Sequence, residues 1–514
     1  MRSRRIILLV ILALYLILGA LYAVRTPAWQ APDEPAHYNY VRFVATTGGF
    51  PVLQMGDYPH GYMEEIKSRK FPPDLSIDPI RYEFHQPPLY YALLAPIYAA
   101  VRGALLPLRL ASVLLGLGVV LLAYAVVRRI YPERAALALG TAAFVAFLPQ
   151  HLATISQVGN DVLAELLFGA VLYILVSWVV STRDMGRGST RTSAEISESY
   201  PRSSAFIRVL LGLLLGLILI TKTTAYIAIP LAGGVLVWRW WRERANARRI
   251  VADALLIALP ALLLALPWYA RDVAVYGWPD FLGLNRHDQI VVGQTRTGEF
   301  LAQVGWNAYI RRALEFTFKS FWGVFGWLGV FMDSRVYFLV ALLSGVALGG
   351  LVLRIAYCVV RGRAVRDSHD DRAIRNTQHA IRLLAISTLL TLLTYAWYNT
   401  QFVQHQGRYL FTALIPLALA FALGWEAALW PRAGRILAAV LIGFAVVLAA
   451  WGVLSHTGLP KWPMMITAVL AAGLFIASWL PRKLQPALFA TPYALFVLLD
   501  LYALFKAIGP QLAR

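Results

Sequence analysis

The sequence predicts an all-α, polytopic integral membrane protein, and three observations carry that prediction. Hydrophobic residues make up 59% of the 514-residue chain and charged residues only 14%, whereas soluble domains average about 25% charged. Apolar runs of about 20 residues, each long enough to cross a bilayer, recur from end to end. Basic residues gather between alternate runs, the bias that orients membrane proteins.

Taken in order, the runs fall at 6–24, 108–128, 134–148, 161–181, 206–221, 224–241, 251–270, 336–360, 382–398, 409–429, 435–455, 463–480 and 487–508, about thirteen spans. Arg2, Arg4 and Arg5 precede the first, which places the N-terminus in the cytosol. Alternating sides from there, the inner loops 128–134, 183–208, 239–249, 361–382, 432–435 and 482–483 are all basic. The short outer loops carry little beyond Lys222, Arg408 and Lys461. The net charge of +20 is therefore mostly a topology signal, and no nucleic-acid partner is expected. Cys358 is the single cysteine, which excludes an internal disulfide and a Cys-rich metal site.

The first run is longer than a signal-peptide core and no small-x-small site follows, so it reads as an uncleaved anchor. Residues 25–107 form a large outer loop with a short helix expected at 38–44. Pro87 and Pro88 suit a helix start, and 89–103 reads as a helix lying in the interface. Asn160 and Asp161 suit the head of the fourth span as cap and first-turn acid. Residues 221–224 make a tight outer turn, and 182–205 and 361–381 are inner linkers. A second outer loop, 271–335, turns aromatic through 316–331, where another interfacial helix is expected. The whole of 1–514 is read as one transmembrane domain.

Chemistry-bearing residues concentrate outside. Asp33, Glu34, Glu83 and Asp161 lie there, with seven of the nine histidines, which puts a site on that face. Partial desolvation beside Trp29, Tyr38 and Tyr40 would raise the carboxyl of Asp33 or Glu34 and improve it as a base. The bland alternative is an acidic turn that caps the next helix. His37 and Tyr38 follow at once. His85 and Gln86 precede a helix start that favours anions, or simply cap it. Lys222 at a membrane edge is a functional candidate or a snorkelling turn residue. Arg408, beside Tyr409, offers a planar fork for phosphate, or a surface salt bridge. Asp161 and Glu165 share a helix face. A divalent cation held by His37, His85, His405 and the carboxylates lacks tight ligand spacing. No metal site is therefore assigned and no cofactor is counted as certain, with a divalent cation kept as the one possible. Asp500 and Lys506 are expected to be bundle-facing polar residues.

The order of these features resembles the GT-C glycosyltransferases. Asp33-Glu34 follows the first span, Pro87-Pro88-Leu89-Tyr90-Tyr91 precedes the second, and Asn160-Asp161 heads the fourth. Leu219-Ile220-Thr221-Lys222 and Gln406-Gly407-Arg408-Tyr409-Leu410 complete the likeness. It is similar in this to dolichyl-phosphate-mannose protein mannosyltransferases and lipid A aminoarabinose transferases. The resemblance implies a GT-C-like bundle and an inverting transfer from a polyprenyl-phosphate sugar to a lipid, glycan or protein acceptor. Asp33 would be the general base and Glu34 its catalytic partner. His37, Tyr38, His85, Gln86, Asp161, Glu165, Lys222, Arg408 and Tyr409 would bind substrate. Many relatives carry Arg after the acidic pair and Lys before the prolines, where this chain has Ala36-His37 and His85-Gln86. The phosphate contacts then shift to Lys222, Arg408 or His85. A bacterial plasma membrane, with the site on its outer face, is the expected location. The alternatives are a transporter or flippase of a lipid-linked sugar, which needs polar groups along the spans, and an oligosaccharide polymerase or ligase.

Overall fold

A computed structural model describes residues 2–181, 200–364 and 371–512. Residues 182–199 of the first expected inner linker and 365–370 of the second lie outside the described residues. The helices run α1 (Arg2–Arg25), α2 (Glu34–Thr47), α3 (His60–Ser68), α4 (Leu89–Ala100), α5 (Leu105–Ile130), α6 (Ala135–Ala146), α7 (Pro149–Ile155), α8 (Asp161–Val180), α9 (Tyr200–Leu219) and α10 (Ala228–Arg242). They continue as α11 (Ala247–Tyr276), α12 (Leu284–Ile290), α13 (Thr297–Trp322), α14 (Ser334–Ala364), α15 (Asp371–Gln401), α16 (Leu414–Ala428), α17 (Pro431–Leu454), α18 (Lys461–Ala477), α19 (Gln485–Tyr502) and α20 (Gly509–Leu512). A two-residue hairpin, β1 (Val324–Phe325) against β2 (Val330–Phe331), follows α13.

Among the described residues nine helices are long and apolar enough to cross a membrane, or ten when the bent pair α6–α7 counts as one span. The expected thirteen is not reached by this measure, although a helix occupies each of the thirteen positions. Of the others, α10 and α18 are short, only Ala205–Leu219 of α9 counts as an apolar helix, and the apolar run 134–148 stops at the 61° bend between α6 and α7. Pro149 at the start of α7 explains the bend, because it cannot donate back to the preceding turn. Helix α4 is apolar but only 12 residues long, too short to cross upright. Helix α13 takes in only 316–322 of the stretch where a second interfacial helix was expected, the β1–β2 hairpin occupies 324–331, and Gly305 breaks α13 at a positive φ. Trp306, Ile310 and Leu314 are exposed along it.

The core is one continuous apolar cluster built around α5, α6 and α8, with α1, α9, α14 and α16 packed on it. Close helix crossings rely on glycine. A Cβ at Gly424 would collide with the carbonyl of Ala347, and one at Gly350 with the carbonyl of Gly424, so α14 and α16 touch backbone to backbone. A second, smaller cluster of Met63, Ile66, Phe71 and Ile80 gives the first outer loop its own core. That loop is therefore folded, and it brings Tyr82–His85 under α2.

Candidate functional site

The site begins at the turn between α1 and α2. Asp33 is the residue before α2 and lies at φ 67°, a left-handed conformation that Asp tolerates at a cost on the order of 1 kcal/mol. Its side chain does not cap its own helix. The turn instead aims the carboxylate across the bundle, where it accepts from the Tyr82 hydroxyl at 2.8 Å and from Arg408 Nη2 at 2.7 Å. Burial pushes the Asp33 carboxyl up, but the Arg408 charge, then that of His37, overrides it and holds the group down at about 2. Desolvation alone, the expectation from sequence, thus misjudges the direction.

Glu34, the next residue, points the other way. It is fully buried and forms a bidentate pair with Arg109 of α5, at 2.7 Å to Nε and 2.6 Å to Nη2. Arg109 also donates to the carbonyls of Ala23 and Thr26, and Glu34 accepts from the Val158 N–H. This cluster ties the end of α1, the start of α2, α5 and the loop after α7 together. Its carboxylate has no face left for a substrate, which argues against the catalytic part expected of Glu34. Arg109 was passed over in the sequence, although a cation inside an apolar run is itself a signal of a buried partner.

Another ion pair stands beside that of Asp33 and Arg408. Lys222, on the turn between α9 and α10, meets Asp161 at the head of α8 at 2.7 Å. Asn160 does not cap α8 as expected. Its amide donates to Gln86 Oε1 at 3.2 Å and to the Thr221 carbonyl at 3.3 Å, locking the Lys222 turn to the residue before Pro87. The Leu89 N–H donates to the Ile220 carbonyl and fixes α4 to the same turn. Arg408 is placed by its neighbour Gly407, where a Cβ would strike the backbone of Phe321. Arg408 Nε donates to Gln406 at 2.8 Å, and its guanidinium lies 5.6 Å from the centre of the Tyr409 ring.

The remaining candidates fall around these pairs. His37 is buried, shares a 2.8 Å hydrogen bond with the Tyr91 hydroxyl, and is held by burial below its ordinary value. Tyr38 turns away from the ion pairs and donates to the Gly103 carbonyl at 2.7 Å. His85 donates from Nδ1 to the Tyr82 carbonyl, and burial lowers it to about 4, so its neutral ring offers Nε2 as an acceptor. Glu165 sits one turn below Asp161 and meets Nε2 of the buried His151 at 2.9 Å. His151 Nδ1 donates to the Val145 carbonyl, so one proton must lie between imidazole and carboxylate. Glu83, absent from the expected binding set, belongs to the same electrostatic group. Its Oε2 is buried without a partner, and burial raises its carboxyl. His405 packs on Tyr309, away from His37 and His85. Among the described residues no three His, Cys, Asp or Glu side chains are arranged to hold a metal.

Two recesses open on either side of Arg408. One is lined by Asp161, Glu165, Thr224, Tyr409 and Thr412 with Arg408. The other lies behind the Asp33 turn and is lined by Gln30, Gln150 and Gln157 together with Arg408. Outside both linings, Asp500 accepts from Tyr22 at 3.2 Å, while Lys506 is exposed and does not pair with it.

Residues 98–274 match the family of dolichyl-phosphate-mannose-protein mannosyltransferases. No curated protein matches the chain. Among solved structures, ArnT from Cupriavidus metallidurans in the apo state is similar at a TM-score of 0.50 and 16% identity, covering 98% of this chain and 76% of that one. ArnT bound to undecaprenyl phosphate matches at 0.49 and 16%, covering 98% and 77%. AglB from Archaeoglobus fulgidus, in complex with an inhibitory peptide and a dolichol-phosphate, matches at 0.45 and 12%, covering 89% and 55%. The fold is that of the GT-C glycosyltransferases, as the sequence resemblance implied, and the chain is a multi-pass membrane protein.

Proposed function

We propose that the chain is an inverting membrane glycosyltransferase that moves a sugar from a polyprenyl-phosphate carrier to an acceptor on the non-cytosolic face. The observation that carries this reading is the pair of adjacent ion pairs, Arg408–Asp33 and Lys222–Asp161, with a recess between α8 and Tyr409. Two cations held beside a recess in an otherwise apolar bundle suit a phosphate that arrives on a lipid tail. The match to a family named for dolichyl-phosphate-mannose agrees with such a donor.

On this reading the carrier phosphate draws Arg408 and Lys222 onto its oxygens. Asp33 then loses the charge that holds it near 2, and burial, its largest perturbation, takes over and raises its proton affinity. The acceptor hydroxyl gives its proton to Asp33 as its oxygen attacks the anomeric carbon. The bond from that carbon to phosphate oxygen breaks, and polyprenyl phosphate leaves with its charge met by Arg408 and Lys222. One displacement inverts the anomeric centre. Donor loading thus switches on the base, which limits proton uptake by an empty site. Tyr409 flanks the phosphate, Asp161 receives or releases Lys222, and His37, His85 and Gln86 support the wall opposite. We read Glu34 and Tyr38 as structural. No divalent cation is needed for this charge balance.

Purified protein in nanodiscs, given a panel of polyprenyl-phosphate sugars and acceptors, should release free polyprenyl phosphate only when a sugar is transferred. Movement of a lipid-linked sugar across sealed vesicles without bond formation would instead establish the flippase reading.

A further inference from the structure

The turn that carries Asp33 is gripped from two sides. From below, Arg109 donates to the carbonyls of Thr26 and Pro27, and its partner Glu34 accepts from the Trp29 N–H at 3.3 Å. From above, the Trp29 carbonyl accepts from the Trp327 indole N–H at 3.0 Å. Trp29 lies at φ 67°, as Asp33 does four residues on. Left-handed backbone is unfavourable for residues other than glycine and persists only where the surroundings over-determine it.

The upper grip comes from the tip of the β1–β2 hairpin. Gly326, Trp327 and Leu328 are three successive left-handed residues, at φ 52°, 51° and 64°. Two of them are bulky, so the tip is strained as well, and strain of this kind gathers where a fold serves a site. The base of the hairpin is fixed. The Val324 N–H donates to Gln150 of α7 at 2.7 Å, and the Tyr337 hydroxyl donates to the Gly323 carbonyl and accepts from the Met332 N–H. The Trp327 ring stacks on Phe71 of the first outer loop, with centroids 5.9 Å apart and planes 20° apart, and Lys67 Nζ lies 5.5 Å from its centre. Leu328 of the same tip faces Ala31 and Pro32 across the recess behind the turn. A post anchored on α7 thus crosses the outer loop and ends on one carbonyl of the Asp33 turn. The carboxylate at the far end of that turn must meet both Tyr82 and Arg408, at 2.8 and 2.7 Å. A misplacement of about 1 Å at a reacting group can cost about 100-fold in rate.

We infer that Trp327 is a positioning residue for Asp33, holding through the Trp29 carbonyl the turn that aims the carboxylate. This rests on the reading of Asp33 as the base in sugar transfer and deepens it, because it adds a residue that acts on the base from outside the site.

The test uses the full chain in nanodiscs and Trp327→Phe, which keeps a ring against Phe71 and loses the indole N–H. Decaprenyl-phosphoryl sugars serve as donors and bare decaprenyl phosphate as the binding probe. Trp327→Phe should lower kcat about tenfold or more, while KM for the donor and affinity for the bare carrier stay within about twofold. In an Asp33→Asn background the same substitution should cost less than about twofold, because the base it aims is gone. A second readout needs no donor. Ionised Asp33 favours the fold above about pH 4 and loses that effect toward pH 2. With its hold on Arg408 loosened, the acid limb of thermal unfolding should be shallower in Trp327→Phe. Arg408, Tyr82, His37 and Glu83 also act on Asp33 or on its neighbours, so the limb is compared in the Asp33→Asn background, where Trp327→Phe should leave it unchanged. An equal fall in unfolding temperature at every pH in both backgrounds, or the same loss of turnover with and without the Asp33 carboxylate, would overturn the inference. If the native protein transfers no sugar, the glycosyltransferase reading falls, and the acid limb alone decides whether Trp327 positions Asp33.

Discussion

At the scale of residues, the chemistry rests on which partner each carboxylate finds. Asp33 and Glu34 are neighbours in sequence, yet one meets Arg408, which lines both recesses, and the other the internal Arg109. The sequence marks both as candidates but not their partners, because Arg408 lies 375 positions from Asp33 and packing alone joins them. Lys222 and Arg408 were legible as lone outer cations. That each pairs with an acid was not. Asp33 is depressed from its ordinary 3.8 to about 2, so its ionised form favours the fold. That contribution, on the order of 2 kcal/mol, is present above about pH 4 and lost as pH falls toward 2. Thermal unfolding in detergent should show an acid limb in that window that Asp33→Asn flattens. Glu83 has the opposite sign. Its carboxyl is raised by burial, so its contribution is present at low pH and lost as pH rises through the folded value. Glu83→Gln should therefore be neutral or stabilising at pH 7, and a clear loss of unfolding temperature would contradict this. Glu34→Gln strands the buried Arg109 and should cost about 3–5 kcal/mol, separating a structural acid from a functional one.

At the scale of elements, the apolar runs located each helix long and apolar enough to span, because a bilayer demands a fixed length of greasy chain. What they could not show was where a run bends. The turn into α7 and the break at Gly305 in α13 depend on how each segment meets its neighbours. Residues 54–80 of the first outer loop, rich in Pro, Gly and charge, read from sequence as irregular, yet α3 and the small core around Met63 fold there. That core is what carries Tyr82 and Glu83 to the Asp33 turn. The backbone contact between α14 and α16 gives a further expectation. Gly424→Leu forces the helices apart and should destabilise the bundle by about 1–3 kcal/mol, read as a lowered unfolding temperature. An unchanged value would mean that the two helices do not touch there.

At the scale of the whole molecule, the fold follows from solvent. A chain 59% hydrophobic buries its polar groups in pairs or collects them at one end, and here both ion pairs lie at the ends of helices near one set of turns. On the sequence expectation that the basic loops between alternate helices face the cytosol, that end lies on the opposite side. In a Cys358→Ala background, a cysteine at exposed Ser76 should react with an impermeant maleimide from outside intact cells, and one at exposed Ala247 only after lysis. Labelling with the sides reversed would place the site in the cytosol. The central idea is that the bundle presents Asp33 as a base that donor binding uncovers, and sugar transfer by Asp33→Asn tests it most directly. Turnover should fall at least about 100-fold, while bare polyprenyl phosphate binds at least as tightly, because Arg408 is no longer shared. Transfer by that variant within about twofold of the native rate would contradict the assignment of Asp33 as the base.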